Sequence, residues 1–208
     1  MARRERQHQD FYFREAKRLG YVSRAAFKLL EIDDKQRLLA RGARVLDVGC
    51  APGAWLQVIS QRVGKKGRVV GIDLKEVRLA LPDRVQTLQG DVFETPADEL
   101  TAVAGGLFDV VVSDAAPDTT GDPTGDHFRS MRLCEHILEI LPGLLLPGGP
   151  LVMKAFEGEN YNDLLNHMKT MFDKVKGFKP KASRSVSREM FVIGRGFAPI
   201  SPGGLPSA

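Results

Sequence analysis
A chain of 208 residues, 43% of them hydrophobic, can bury the core of one domain, and without an apolar run near the ~20 residues of a membrane-spanning helix it is not expected to enter a bilayer. Its formal charge of +4 is modest, but the basic residues gather at the two ends of the chain. The two cysteines, Cys50 and Cys134, lie far apart without metal-ligand spacing, so a reduced, cytoplasmic setting and no bound metal are expected.

The opening MARRERQHQD lacks the apolar centre of a secretory signal, and Glu5 and Asp10 argue against a transit peptide, so it reads as mature sequence. It begins a basic block of Arg3, Arg4, Arg6, Arg14, Lys17, Arg18, Arg24 and Lys28, within a helical extension placed at 1–40. There, SRAAFKLLEIDDKQRLL offers Ser23 as an N-cap and apolar Ala26, Leu29, Leu30 and Ile32 at helical spacing. Phe11, Tyr12 and Phe13 interleave with the bases and suit either stacking on an unpaired nucleobase or packing on the core.

Five short runs rich in Val, Ile and Leu follow, at 43–49, 68–74, 85–91, 108–114 and 150–156, and read as strands buried on both faces. Helices at 54–63 and about 126–146 alternate with them, and a further helix is placed at 160–172. Two last strands, at about 175–179 and 190–195, complete an α/β fold: a doubly wound, Rossmann-like, mostly parallel seven-stranded sheet with helices on both faces. A single domain is placed at 1–196. Its second basic block holds Lys174, Lys176, Lys179, Lys181, Arg184, Arg188 and Arg195, opposed only by Glu189. The two blocks read as a polyanion-facing surface or as an ordinary solvated face. Residues 197–208, FAPISPGGLPSA, are expected to form a disordered tail.

The stretch LDVGCAPGAW passes from a strand through a glycine-rich turn into a helix, where α/β folds place a nucleotide-like ligand. It is neither GxGxxG nor a P-loop. Asp47, Asp73 and Asp91 stand at successive strand ends. Each alone reads as a loop cap; together they suit ribose hydroxyls and an adenine amino group, and hence S-adenosylmethionine better than a dinucleotide. Cys50 reads as a packing residue. In PLVMKAFEG, Lys154 interrupts an apolar strand, either snorkelling from an edge or reaching a cleft.

Five pieces, SRAAFKLLEID with Lys28, LDVGCAPGAW, VVSDAAPDTTG with Asp114, VMKAFEGE with Lys154 and SRSVSREMFVIG with Glu189, resemble in order the FtsJ/RrmJ-like family of RNA ribose 2′-O-methyltransferases, in particular its bacterial branch acting on large-subunit ribosomal RNA. The resemblance implies an S-adenosylmethionine-dependent methyltransferase fold and a catalytic tetrad of Lys28, Asp114, Lys154 and Glu189. It implies a cofactor held at Gly49, Gly53, Trp55, Asp73, Asp91 and Asp114, and RNA contacts at Arg24, Lys28, Arg184 and Arg188. The implied target is a uridine of 23S rRNA in the large ribosomal subunit, with transfer RNA the alternative, and a monomer is expected. The chain departs from the family pattern at Cys50, Ala54, Asp118 and Phe27, which touches substrate contacts and cofactor affinity but no tetrad member.

Methyl transfer from a sulfonium to a hydroxyl is an in-line displacement, so positioning supplies much of the catalysis, roughly 7–11 kcal/mol in favourable cases. The hydroxyl also needs a base or an acceptor that orients it. By resemblance Lys154 is the principal residue, Lys28 and Asp114 align it, and Glu189 supports them. Three competing readings are weaker. A base or protein methyltransferase is opposed by DAAP after the fourth strand, where an Asn/Asp-Pro-Pro-aromatic signature would stand. A non-catalytic assembly factor is opposed by retention of the tetrad, and a nicotinamide oxidoreductase by the missing GxGxxG.

Overall fold
The computed structural model of the chain describes residues 11–117, 122–183 and 187–199. In chain order they form α1 (11–18), α2 (Ala26–Gln36), β1 (Arg44–Val48), α3 (Ala54–Val63), β2 (Arg68–Asp73), β3 (Val85–Gln89), α4 (Ala97–Ala104), β4 (Val110–Ser113) and α5 (Pro123–Ile140). A 3₁₀ turn (Leu141–Gly143), β5 (Leu151–Phe156), α6 (Tyr161–Met171), β6 (Phe172–Phe178) and β7 (Glu189–Phe197) follow. One seven-stranded sheet has the order β3-β2-β1-β4-β5-β7-β6, and only β7 runs against its neighbours.

The inner strands read as continuous apolar runs because both faces are covered; β3, expected to be buried on both faces as well, has only Val85 buried because it lies at the edge of the sheet. Adjacent residues enter opposite halves of the core: Val45, Val112, Val152 and Ile193 pack with α2 and α3, through Leu29, Ile32, Leu56 and Ile59. Their neighbours Leu46, Val111, Met153 and Val192 pack with α4, α5 and α6, through Leu100, Ile137, Leu138 and Leu164. Each such side chain contributes about 1.5–3 kcal/mol on burial.

Four local expectations shift. Ser23 does not cap α2: the helix starts at Ala26 after Ala25, and the Ser23 hydroxyl accepts the Ala25 N–H at 3.2 Å within the preceding turn. The long helix starts earlier than expected, at Pro123, because the Asp122 carboxylate accepts the Thr124 and Gly125 N–H groups at 3.1 and 3.0 Å. It also stops earlier, at Ile140, where Pro142 turns the chain into the 3₁₀ segment. β6 and β7 are longer than their apolar centres indicate, and β7 runs to Phe197, a residue assigned by sequence to the tail. The short α4 escaped the sequence reading because only Leu100 and Ala104 of its eight residues are buried.

Candidate active site
The sheet order reverses between β1 and β4, and the carboxyl ends of these strands open a cleft. On the β1 side the chain turns at Gly49, φ 78°, which a side chain would not permit: an added Cβ would lie 2.5 Å from Ala115 Cα in the loop after β4. A cavity of about 560 Å³ follows, lined by Gly49, Asp73, Asp91, Phe93, Asp114 and Arg132 among others. Asp73 accepts the Ala51 N–H at 2.9 Å and the Lys75 N–H at 2.8 Å, so β2 fixes the turn after β1. Asp91 accepts the Phe93 N–H at 2.9 Å.

Beneath this turn Asp47 is fully buried, and neither carboxylate oxygen has a hydrogen-bond partner. Burial, then the neighbouring charges of Asp114 and Asp73, push its carboxyl well above the ordinary range. Cys50 is buried beside Gly71, and burial followed by Asp47 and Asp73 raises its thiol far out of the reactive range.

Strand register assembles the second part of the site. Ser113 is level with Met153, so Asp114, the next residue of β4's exit, comes beside Lys154. Across the antiparallel pair Lys154 faces Phe191, and Phe156 faces Glu189. Lys154 Nζ lies 3.0 Å from Asp114 Oδ1 and also donates to the Asp114 carbonyl. Lys28, from α2, lies 3.5 Å from the same Oδ1, 2.9 Å from Glu189 Oε1 and over the Phe191 ring. The four side chains are 10–15% exposed, and two cations balance two anions, which is what makes so much charge tolerable there. Burial pushes the Glu189 carboxyl up, but the Lys28 charge, hydrogen bonds from Ser183 and Lys28, and the Lys154 charge bring it below the ordinary carboxylate value.

A model of the FtsJ-like methyltransferase matches residues 21–197. The chain belongs to the FtsJ-like methyltransferase family. It is 46% identical to the "Ribosomal RNA large subunit methyltransferase E" of Syntrophobacter fumaroxidans, over 89% of this chain and 94% of the relative. It is 43% identical to the protein of the same name from Methanothrix thermoacetophila, over 95% of this chain and 77% of that one. The crystal structure of a ribosomal RNA methyltransferase from Plasmodium falciparum superposes with a TM-score of 0.75 at 31% identity, covering 85% of this chain and 98% of that chain. An Aeropyrum pernix fibrillarin solved with S-adenosyl-L-methionine shares the fold, with a TM-score of 0.58 at 14% identity over 82% of this chain and 73% of that chain.

Within this FtsJ-like domain, Gly49, Asp73, Asp91 and Asp114 line the cavity, whereas Gly53 and Trp55 do not. Gly53 precedes α3 with φ 109° and would press a Cβ to 3.1 Å from Leu79. Trp55 is buried; its Nε1–H donates to the Ala25 carbonyl at 2.9 Å and its ring packs on Phe191 at 5.7 Å. Half-buried Arg24 lies in the turn entering α2, and exposed Arg188 immediately precedes Glu189. Arg184 and Asp118 lie outside the described residues. The sequence reading missed Phe93, Arg129 and Arg132 as cavity residues. Phe93 stacks on His136 with Arg132 over its ring, and the signal was available: Phe93 follows Asp91 closely, and Arg129 and Arg132 share one face of α5 at i,i+3 spacing.

Among the described residues no group of three or more His, Cys, Asp or Glu side chains is arranged to hold a metal ion, and no helix is long and apolar enough to cross a membrane.

Proposed function
We propose that the chain methylates a ribose 2′-hydroxyl of RNA, using S-adenosylmethionine, with a uridine of 23S rRNA in the large ribosomal subunit as the target. The observation that carries this reading is Asp114, which belongs both to the cavity wall and to the Lys28–Asp114–Lys154–Glu189 cluster. A cofactor site and a cation-anion relay therefore share one residue. The names borne by the relatives point the same way.

The cavity fits the cofactor. Gly49 lets backbone approach closely, and Asp73 and Asp91 each keep acceptor capacity beyond the backbone bonds they hold, so the cavity wall presents carboxylate oxygens that suit a cationic, hydroxyl-bearing ligand. Bound there, S-adenosylmethionine supplies a methyl group already activated by a sulfonium charge. The protein's tasks are to orient the hydroxyl, exclude water and take a proton. Asp114 fixes Lys154 at two points, its carboxylate and its carbonyl, so the Nζ has a set direction when the hydroxyl arrives. Lys154 takes the hydroxyl proton in its neutral amine form, after releasing one ammonium proton to water, and ends the step as the ammonium paired with Asp114. Lys28 holds Asp114 and Glu189 together and presents positive charge to the adjoining phosphate.

The test supplies tritiated methyl-S-adenosylmethionine to purified protein with undermethylated large subunits, naked ribosomal RNA and transfer RNA in parallel. Label is expected on a ribose 2′-oxygen of subunit RNA, and Lys154→Ala should lose about 10²–10⁴-fold in rate while still binding cofactor by calorimetry. Label on a nucleobase, or a Lys154→Ala rate near wild type, would overturn the reading. Label on transfer RNA alone would overturn the target.

A further inference from the structure
We propose that the outer edge of the sheet carries a second RNA site, a groove that seats the phosphodiester backbone of the substrate away from the reacting nucleotide. The proposal rests on the chain acting on RNA, as argued above. Among the described residues β6 is the edge strand and pairs only with β7. In that pair Lys174 stands directly opposite Arg195, and Lys176 follows two residues along on the same face. Like charges so placed repel each other across about 5 Å and destabilise the pair unless an anion joins them.

Nothing in the described protein supplies that anion in full. Among the described residues the Lys174 and Lys176 side chains make no ion pair or hydrogen bond, and Asp173 is the only acid that lines the groove. The groove, about 600 Å³, lies between this strand pair and the C-terminal end of α2. Arg195 is held there, donating from Nη1 to the Gln36 carbonyl at 2.9 Å, which fixes its guanidinium and leaves other N–H donors free to turn to a ligand. Lysines on an edge strand also discourage strand pairing between molecules. That role needs neither an arginine opposite them on an inner strand nor a groove.

The position matches a continuous polyanion. Lys174, Lys176 and Arg195 occupy the face of the sheet covered by α2, the helix that delivers Lys28. β7 runs from Glu189 at the methyl-transfer end to Arg195, roughly 20 Å at about 3.3 Å per residue. At the ~3.4 Å per nucleotide of one strand of duplex DNA, a nucleic-acid strand covers that distance in about six nucleotides. Lys35, over the Phe178 ring, lies along the way.

The experiment compares wild type, Lys174→Glu/Lys176→Glu and, as a control for net charge, Lys65→Glu/Lys66→Glu in the exposed turn before β2. Binding to transcribed large-subunit ribosomal RNA and to assembled subunits is measured across salt concentrations, with cofactor binding by calorimetry as the check on folding. The groove variant should lose about 1.4–1.8 from the slope of log affinity against log salt for naked RNA, two phosphates' worth, and raise KM for RNA about tenfold at unchanged kcat. The control should keep the wild-type slope. Equal losses in both variants, or a groove variant indistinguishable from wild type, would overturn the site. A loss confined to assembled subunits would assign the groove to a ribosomal protein and overturn it as an RNA site. Wild-type protein without salt-dependent RNA binding would instead defeat the RNA reading itself.

Discussion
The Lys28 ammonium lies 2.9 Å from Glu189 Oε1, and that same oxygen accepts the Ser183 hydroxyl at 2.6 Å. One carboxylate thus ties α2 to β7 beside Lys154. Glu189→Gln keeps the shape and the Ser183 contact but removes the charge. It should lower kcat by about tenfold, less than loss of Lys154, with cofactor affinity unchanged. Stability gives a second readout. A carboxyl held below its unfolded value near 4.3 stabilises the fold above that pH and loses the contribution as pH falls through the folded value. Wild type should therefore be more stable than Glu189→Gln to urea near neutrality, and the two should converge as pH falls through the folded value. A gap that persists in acid would assign the difference to packing.

The parts of this site differed in how well they could be read from the chain. Asp73, Asp91 and Asp114 stand at strand ends, where an apolar run meets its first carboxylate, so periodicity alone locates them at the mouth of the sheet. That Lys154 meets Lys28 depends on α2 crossing β5 and β7, a long-range packing choice that no local pattern encodes. The family resemblance supplied it. Trp55 illustrates the reverse: its place in the motif pointed to the cofactor side, yet the structure seats it against Phe191 and the Ala25 carbonyl. Phe93, Arg129 and Arg132 gather around the cavity from a loop and a helix, and only the fold brings those segments together.

Trp55 acts through α2 in this arrangement. Its indole bond to Ala25 anchors the residue before the helix that carries Lys28, and its ring supports Phe191, over which Lys28 lies. Trp55→Phe deletes that bond and some buried area, at a cost of about 1–2 kcal/mol. The cofactor dissociation constant should stay within about twofold, while kcat falls several-fold as Lys28 loses its alignment. Calorimetry with S-adenosylmethionine decides the matter. A large loss of cofactor affinity with intact folding would return Trp55 to the cofactor wall.

Asp47 carries the sharpest pH dependence the structure predicts. Its carboxyl is raised by burial, then by Asp114 and Asp73, with no hydrogen bond to offset them. An acid whose folded value exceeds its unfolded value near 3.9 binds more protons in the native state, so stability falls as pH climbs through the interval between the two. Asp47→Asn removes that dependence. The variant should gain on wild type as pH rises, by up to about 1.4 kcal/mol for each pH unit inside the interval, and the gap should level off above the folded value. Urea denaturation of both proteins at intervals from about pH 5 to about pH 8 reads this directly. A gap that stays constant across the range would mean that Asp47 ionises as an ordinary carboxylate and that its buried charge is compensated. A gap that opens would show the turn beneath the cavity holding an uncompensated acid that stays neutral below its folded value.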